Sequence, residues 1–380
     1  MNPPPVVGTA VDLASRWLGG TVVAASDESF GDKENLLTPG PAAFEPGRYG
    51  NRGEIVDGWE TRRRRNGGHD WVIVRLGAPG TVASVTVDTS FFTGNFPEHC
   101  AVHACGHEGY PGAAELTGPA ADWTELVPRS PLGGDRENVF AVTDPRRFTH
   151  VRLSVYPDGG VARLRVHGDA LPDPRGLEEL TVDLLSQRYG GAVVASSDDY
   201  FSAAAALNRP GQARSMGEGW ETRRRRDTGN DFVVFRLGFP GRVRRLVVDT
   251  SYFRYNASES VAAGGGALAD LLAGRSPGVP LLPRTRLQPD TRHEFTVDHA
   301  EPVAAIRLDA FPDGGLSRVR AIGSIDPQAR RVAGHRWFNA LPAEQAVTVL
   351  VKGGMPAARA AEVVSGRPLL YGGPGPGLHL

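Results

Sequence analysis

Short segments in which apolar and polar residues alternate dominate the chain up to about Gly323. They are rich in β-branched residues, turns of Gly, Pro, Asn and Asp separate them, and no long period of 3.6 residues appears among them. In the first half these segments are Thr21 to Ala25, Trp71 to Leu76, Val82 to Val87, Val151 to Val155 and Leu164 to Val166. The pattern predicts an all-β sandwich or jelly roll.

A different pattern follows Gly323. Apolar residues recur at helical spacing from Pro342 to Val351 and from Ala357 to Val364, with a Gly-Gly stop signal between the two segments. The leading proline suits the first turn of a helix. We therefore expect a short helical tail, followed by a Gly- and Pro-rich end from Gly372 to Leu380 that is predicted to be disordered.

One passage occurs twice in the chain. The sequence GWETRRRR begins at Gly58 and again at Gly219, and fourteen of the twenty residues from Gly58 to Gly77 match their counterparts. Matches at nearly constant offset continue on both sides, from a VDL segment near the start of each copy to a PDGG segment near its end. Each copy has about 150 residues, the usual size of one domain.

The repeats and the tail define the predicted domains. We place the first jelly-roll repeat at residues 1–168, the second at residues 177–323 and the partly helical, partly disordered tail at residues 324–380. The linker is the polar, proline-containing stretch from Asp169 to Gly176.

Composition narrows the class of protein. The chain has 380 residues, of which 40% are hydrophobic, and no stretch approaches the roughly 18 apolar residues of a membrane span. The start, Met1 to Val7, lacks the regions of a signal peptide, so we expect a cytoplasmic protein with no membrane partner. Cys100 and Cys105 are five positions apart in a predicted strand and point to opposite faces, which argues against a mutual disulfide.

The net charge is −1, although the chain contains two runs of four arginines. Such runs can bind phosphate, but a chain built for nucleic acid normally carries a net basic balance or a basic face. We therefore expect no nucleic-acid partner.

In the repeated passage, strand alternation would place Trp59, Thr61, Arg63 and Arg65 on one face and Glu60, Arg62 and Arg64 on the other. A partly buried guanidinium requires a carboxylate partner, and its planar fork suits bidentate capture of a substrate carboxylate. An internal Arg/Glu network that ties strands together is the alternative.

His69 and Asp70 follow a Gly-Gly turn at the entrance to a strand, where sites are often placed on rigid scaffolds. A histidine beside a carboxylate could act as a general acid or base near neutral pH. A turn-capping pair is the alternative, and the second repeat has Asn230 in place of His69.

Two further segments recur. Asp88, Thr89 and Ser90 end a strand with three small polar side chains, a composition that is costly if buried without a ligand or an internal network. The PDGG segments around Asp158 and Asp313 are typical of hairpin turns.

The histidines and cysteines between His99 and His107 allow a metal interpretation, because His103, Cys105 and His107 would lie on one strand face. Adjacent positions on that face are about 6.6 Å apart, so at most two side chains could reach one ion. The second repeat has no counterpart, and an exposed or interface strand face is the alternative. The sequence commits to no cofactor and leaves a divalent metal as an open alternative.

Four segments together resemble the allantoicase family, also called allantoate amidinohydrolases. They are DGWETRRRR from Asp57, GHDW from Gly68, VDTSFFTGN from Val87 and LSVYPDGGVARLRVHG from Leu153. The resemblance covers both repeats. It implies a tandem pair of galactose-binding-like jelly rolls, assembly into homo-oligomers, and hydrolysis of allantoate to ureidoglycolate and urea in purine breakdown.

The second repeat departs from the family pattern. It has Phe253-Arg254-Tyr255-Asn256 where an FxGN element is expected, and Gly229-Asn230-Asp231-Phe232 where GHDW is expected. The first repeat is therefore the expected catalytic one.

Allantoate carries two urea groups on the carbon beside its carboxylate, so its hydrolysis requires a cation, an acid, and a base or metal. From the resemblance we assign Arg62 and Arg63 to the carboxylate, and His69 and Glu60 to proton transfer. Asp70 would orient the imidazole. The other predicted substrate-binding residues are Trp59, Thr61, Asp88, Thr89, Ser90, Phe92, Asn95 and Asp158, with second-repeat equivalents Glu221, Arg223, Arg224, Asp249 and Asp313.

A non-catalytic galactose-binding-like module for an anionic or carbohydrate ligand is the alternative function, since fold does not fix function. Such modules usually present aromatic platforms, whereas the residues shared by the two repeats are mainly Arg, Glu, Asp and Thr. That composition favours an anionic ligand. A duplicated structural protein is a further alternative.

Overall fold

A computed structural model describes residues 10–119, 121–299 and 301–370. The proline-rich start and the predicted disordered end from Gly372 lie outside these residues. The chain divides into two compact units. One contains Ala10–Leu171 and the tail residues 337–370, and the other contains Pro172–Arg336.

The first repeat consists mainly of β-strands, with one short α-helix. In chain order these are β1 (Val11–Asp12), β2 (Thr21–Ala25), β3 (Tyr49–Gly50), β4 (Gly53–Glu54), β5 (Trp59–Glu60), β6 (Asp70–Asp88), β7 (His99–Cys105), α1 (Ala113–Thr117), β8 (Thr124–Pro131), β9 (Glu137–Ala141), β10 (Arg147–Tyr156), β11 (Gly160–Val161) and β12 (Arg163–Ala170).

The long strand β6 organises the repeat. The strand order is β1-β12-β6-β10-β7-β8, and β2 and β9 also pair with β6. The first part of β6 pairs with β2 and β10, and its second part pairs with β9 and β12. The prediction of two separate strands, Trp71 to Leu76 and Val82 to Val87, was therefore wrong at their junction. A Cβ at Gly77 would lie 2.6 Å from the Gly20 nitrogen, so only glycine allows the chain to continue there.

Alternation along β6 separates a core face from an outer face. Val72, Val74 and Leu76 lie in the main core with the fully buried Trp59. Trp71 and Ile73 lie on the opposite face, which we call the outer face, and pack in a smaller cluster with Cys105. Cys100 belongs to the main core, and both cysteines are free, so the prediction of no mutual disulfide is confirmed.

The second repeat has the same topology. Its elements are β13 (Thr181–Asp183), β14 (Ala192–Ser196), β15 (Trp220–Glu221), β16 (Asp231–Asp249), β17 (Ser260–Gly266), α2 (Leu268–Leu272), β18 (Val279–Arg286), β19 (Arg292–Thr296), β20 (Val303–Phe311), β21 (Gly315–Leu316) and β22 (Arg318–Ile325). The strand order is β13-β22-β16-β20-β17-β18, with β14 and β19 also on β16. The predicted tandem all-β fold is confirmed.

Three helices follow, α3 (Pro327–Ala340), α4 (Ala343–Lys352) and α5 (Ala357–Ser365). The two predicted helices correspond to α4 and α5, whereas α3 was missed. Gln345 on α4 donates to the Glu108 carboxylate at 2.7 Å, which joins the tail to the first repeat. Within the described residues, no helix is long and apolar enough to cross a membrane.

Candidate active site

The repeated arginine run leaves the strand after Glu60. Trp59 and Thr61 are buried, and the Thr61 N–H still donates to the Gly159 carbonyl at 3.3 Å, but the backbone from Arg62 to Arg65 does not continue the ladder. Two carboxylates bind its N–H groups instead, because Arg62 N donates to Asp27 at 2.8 Å and Arg64 N donates to Asp158 at 2.6 Å. The predicted strand alternation holds as far as Thr61 and is wrong beyond it, because carboxylates distant in sequence shape the segment from Arg62.

The four arginines fall into two classes. Arg62 Nε lies 2.8 Å from Asp27, and Arg64 donates twice to Asp70 Oδ1, at 2.8 and 3.1 Å. Arg63 and Arg65 are exposed, and neither forms an ion pair in the part of the chain that the structure describes. The internal-network interpretation thus describes Arg62 and Arg64, while Arg63 and Arg65 remain available to an anion.

The second repeat reproduces this division. Arg223 pairs with Asp198 at 2.8 Å, and Arg225 pairs with Asp231 at 2.9 Å. The N–H of Arg225 donates to Asp313, as that of Arg64 does to Asp158. Arg224, like Arg63, is exposed. The arginine frame is therefore a property of both repeats.

Glu60 lies beside this frame with one side-chain partner. Asn95 donates to its carboxylate at 2.7 Å. Burial raises the pKa of Glu60, and the hydrogen bond from Asn95 offsets part of that rise. In the second repeat Asn256 donates to Glu221 at the same distance, so the altered FxGN element keeps this contact.

His69 lies apart from its sequence neighbour Asp70. Its ring packs against Tyr156, with centroids 4.7 Å apart. Burial lowers the pKa of His69, and the nearby Arg152 and Arg64 lower it further, so the imidazole is neutral at neutral pH.

Asp70 does not orient the His69 imidazole through a hydrogen bond. Its Oδ1 accepts from Ser26 and Arg64, and its Oδ2 is buried without a partner. Successive residues at the start of β6 point to opposite faces, which explains why the predicted His-Asp contact is missing. The predicted hydrogen bond between His69 and Asp70 is therefore absent from the described residues.

The predicted binding segment after β6 is largely an internal network. Asp88 accepts from the N–H and hydroxyl of Ser90, and the hydroxyl of Thr89 donates to the Gly133 carbonyl at 2.6 Å. Thr89 is 0% exposed, and Phe92 is buried beside it. Asp249 and Ser251 repeat the first contact in the second copy. These residues hold the loop, and Asp88 and Thr89 do not reach its surface.

The residues present do not fit a metal site. Among the described ranges, no three His, Cys, Asp or Glu side chains are close enough to hold one ion. His103 lies on the outer face of β7, whereas His107 follows the strand and its N–H donates to Thr149.

Sequence reasoning identified the repeated motifs but missed their partners. Asp27 and Asp198 bind the arginine runs from 35 and 25 positions away, respectively. A signal for these partners was present in the sequence, because a Ser-Asp pair directly follows β2 in the first repeat and β14 in the second. Arg152 and its equivalent Arg307 were also visible as shared residues without an assigned role.

Comparison with known proteins identifies the family. A family model for the allantoicase repeat matches residues 11–171 and 182–326. A probable allantoicase from Streptomyces coelicolor is 44% identical over 340 residues, covering 86% of this chain and 89% of the relative. One from Nocardia farcinica is 49% identical over 319 residues, covering 83% and 94%.

A solved structure agrees with this result. The crystal structure of allantoicase from Saccharomyces cerevisiae is 31% identical, covers 83% of this chain and 93% of its own, and superposes with a TM-score of 0.70. The agreement extends over both repeats. This chain therefore belongs to the allantoicase family.

Proposed function

We propose that the protein hydrolyses allantoate to ureidoglycolate and urea, and that the reaction takes place in the first repeat. Family membership supports the reaction class. One observation supports the location: both repeats keep the arginine frame and the Glu-Asn pair, but the residue that precedes the long strand is a histidine, His69, in the first repeat alone, where it interacts electrostatically with Arg64 of the frame. Asn230 stands at that position in the second repeat and cannot transfer protons near neutral pH.

The arginine run supplies positive charge for the anionic substrate. Of the two arginines assigned to the carboxylate, Arg62 is already paired with Asp27, whereas Arg63 has no carboxylate partner in the described residues. Arg63 attracts the substrate, and Arg62 fixes the loop that presents it. Trp59 and Thr61 are buried and support the same loop.

Glu60 and His69 carry the proton transfers. The pKa of Glu60 is raised by burial and that of His69 is lowered by burial, so the carboxyl acts as the acid and the imidazole as the base. The C–N bond to the departing urea breaks as its nitrogen takes the proton of Glu60. A water oxygen bonds to the same carbon, and the water proton passes to His69.

The second repeat retains Glu221, Arg223, Arg224, Asp249 and Asp313 but lacks the base. We assign it a supporting role without catalysis. The active protein is proposed to be a cytoplasmic homo-oligomer. Family resemblance supports assembly, and two buried free thiols are consistent with a reducing compartment.

Incubation of the purified protein with allantoate tests the proposal, with urea and ureidoglycolate measured before and after chelation and metal restoration. His69→Asn, which installs the residue of the second repeat, should lower kcat about a hundredfold or more without unfolding. Asn230→Ala is the matched control and should retain activity within about threefold. Absence of urea under every metal condition would reject the enzymatic function, and an active His69→Asn variant would reject the base.

A further inference from the structure

Two rows of side chains cross the outer face of the first repeat. In the register of the sheet, Arg152 on β10 lies between Ile73 on β6 and His103 on β7. In the next row Ser154 lies between Trp71 and Ala101. Side chains opposite one another on the same face are neighbours, so Arg152 and His103 adjoin two small residues, Ser154 and Ala101.

Arg152 is a cation for which the described part of the chain supplies no carboxylate. It forms no ion pair in the described ranges, and its Nε is buried without a hydrogen-bond partner. Its guanidinium rests on the ring of Trp123, 4.9 Å from the centroid. Nδ1 of the neighbouring His103 is likewise buried and unpartnered. Buried polar atoms without a hydrogen-bond partner are rare, because each costs free energy of desolvation.

The second repeat satisfies the equivalent arginine. Arg307 donates to the Asp309 carboxylate through Nε and Nη2, at 3.0 and 2.8 Å to Oδ1. Asn230 donates to the same oxygen at 2.9 Å. The Asp309 carboxylate therefore accepts hydrogen bonds from the Arg307 guanidinium and from Asn230, the residue that precedes β16.

The first repeat keeps the two donors and lacks the acceptor. Arg152 stands at the position of Arg307 and His69 at that of Asn230, but Ser154 replaces Asp309. Arg152 also acts on His69 electrostatically, which places the two groups near one another. The side chain of serine is smaller than that of aspartate by a carbonyl group, and it carries no charge.

We propose that Arg152 and His69 bind the carboxylate of a small ureido acid in the first repeat, in the place that the Asp309 carboxylate takes in the second. This inference rests on the proposed function, because it names the group that holds the anion of that substrate. Arg63 attracts the anion, and Arg152 holds it.

The arrangement is compatible with the chemistry assigned to His69. A neutral imidazole has one N–H donor and one acceptor nitrogen. The donor can meet the carboxylate, which leaves the other nitrogen free to accept a proton. The Tyr156 ring packs on His69, and the Arg129 guanidinium carbon lies 4.5 Å from the centroid of that Tyr156 ring. A positive charge and an aromatic ring therefore lie beside His69.

Equilibrium dialysis with N-carbamoylglycine, a carboxylate with a single ureido group, tests the proposal on the full-length protein. We expect one site per chain, and at least tenfold weaker binding of the amide analogue that lacks the carboxylate charge. Ser154→Asp supplies the internal acceptor of the second repeat and should weaken binding at least tenfold, with a melting temperature no lower than that of the parent. Binding of the acid by Ser154→Asp at parental affinity would overturn the proposal.

Asp309→Ser provides a test in the opposite direction. It frees Arg307 and Asn230 and should raise the stoichiometry from one site per chain to two, a gain that misfolding cannot produce. A stoichiometry that stays at one would count against the proposal.

Failure of this inference is distinguishable from failure of the proposed function. A parent that releases no urea but binds the acid through Arg152 would reject only the reaction, and an active enzyme whose KM is unchanged in Ser154→Asp would reject only the carboxylate site.

Discussion

Substitution of Arg64 by methionine should destabilise the first repeat, whereas the same substitution at Arg63 should not. Arg64 makes two hydrogen bonds to Asp70 Oδ1, at 2.8 and 3.1 Å. Asp70 is 1% exposed, and its Oδ2 already lacks a partner. Methionine keeps the length of the side chain and removes the charge and the donors, so the Asp70 carboxylate would retain only Ser26 as a side-chain partner.

The size of the loss follows from these contacts. Removal of one partner from a buried ion pair costs about 3–5 kcal/mol, because the other charge is left uncompensated. Arg64 is 27% exposed, so water can partly replace it, and we expect about 2–3 kcal/mol. For a repeat of about 150 residues this corresponds to a fall in melting temperature of roughly 4–12 °C. Arg63 is exposed and unpaired in the described residues, so Arg63→Met should leave the free energy of unfolding unchanged.

Urea unfolding followed by tryptophan fluorescence and near-ultraviolet circular dichroism measures the difference. Arg225→Met is the matched variant in the second repeat, where the guanidinium pairs with Asp231, and it should cause a comparable loss. Arg224→Met is its neutral control. Equal midpoints for Arg63→Met and Arg64→Met would refute the division of the run into structural and available arginines.

Three further predictions concern protonation. Asn95→Leu removes the hydrogen bond that lowers the pKa of Glu60, so the pKa should rise further and the basic limb of the kcat/KM profile, where the acid loses its proton, should move to higher pH. Asn256→Leu in the second repeat should leave the profile in place. Glu60→Gln should lower kcat about a hundredfold while allantoate binding persists, and a variant within threefold of the parent would remove Glu60 as the acid. Burial raises the pKa of Cys100 and of Cys105 to about 12, so iodoacetamide at pH 8 should alkylate the native protein at least a hundredfold more slowly than the urea-unfolded chain, and equal rates would contradict the burial.

The sequence predicted the fold well where the signal was local. The five short segments of the first half lie in strands, and the apolar spacing after Pro342 corresponds to α4 and α5. Helix α3 was missed because its apolar positions do not form a clear stripe in the sequence. The junction inside β6 was missed because a Gly-Ala-Pro-Gly segment is typical of a turn, and only the close approach of the chain at Gly20 shows why the strand continues there.

The sequence predicted less of the site, because its contacts join residues far apart along the chain. Asp27 and Asp158 bind the arginine segment from 35 and 94 positions away. No spacing rule connects such residues. His69 and Asp70 are adjacent in sequence, which suggested a hydrogen bond between them, but successive residues of a strand point to opposite faces of the sheet. Residue type identified candidate chemistry, but only the tertiary structure shows which groups are already satisfied.

Comparison of the two repeats separates structural residues from functional ones. Arg62 and Arg64 have internal carboxylate partners, and so do Arg223 and Arg225. A structural role within each repeat therefore explains the presence of all four arginines. Arg152 is different, because its counterpart Arg307 is neutralised by Asp309 while Arg152 has no such partner in the described residues. An unsatisfied buried donor costs about 1–3 kcal/mol. The first repeat therefore gives up stability at one place where the second keeps it, and a ligand carboxylate that completes the set of hydrogen bonds explains why.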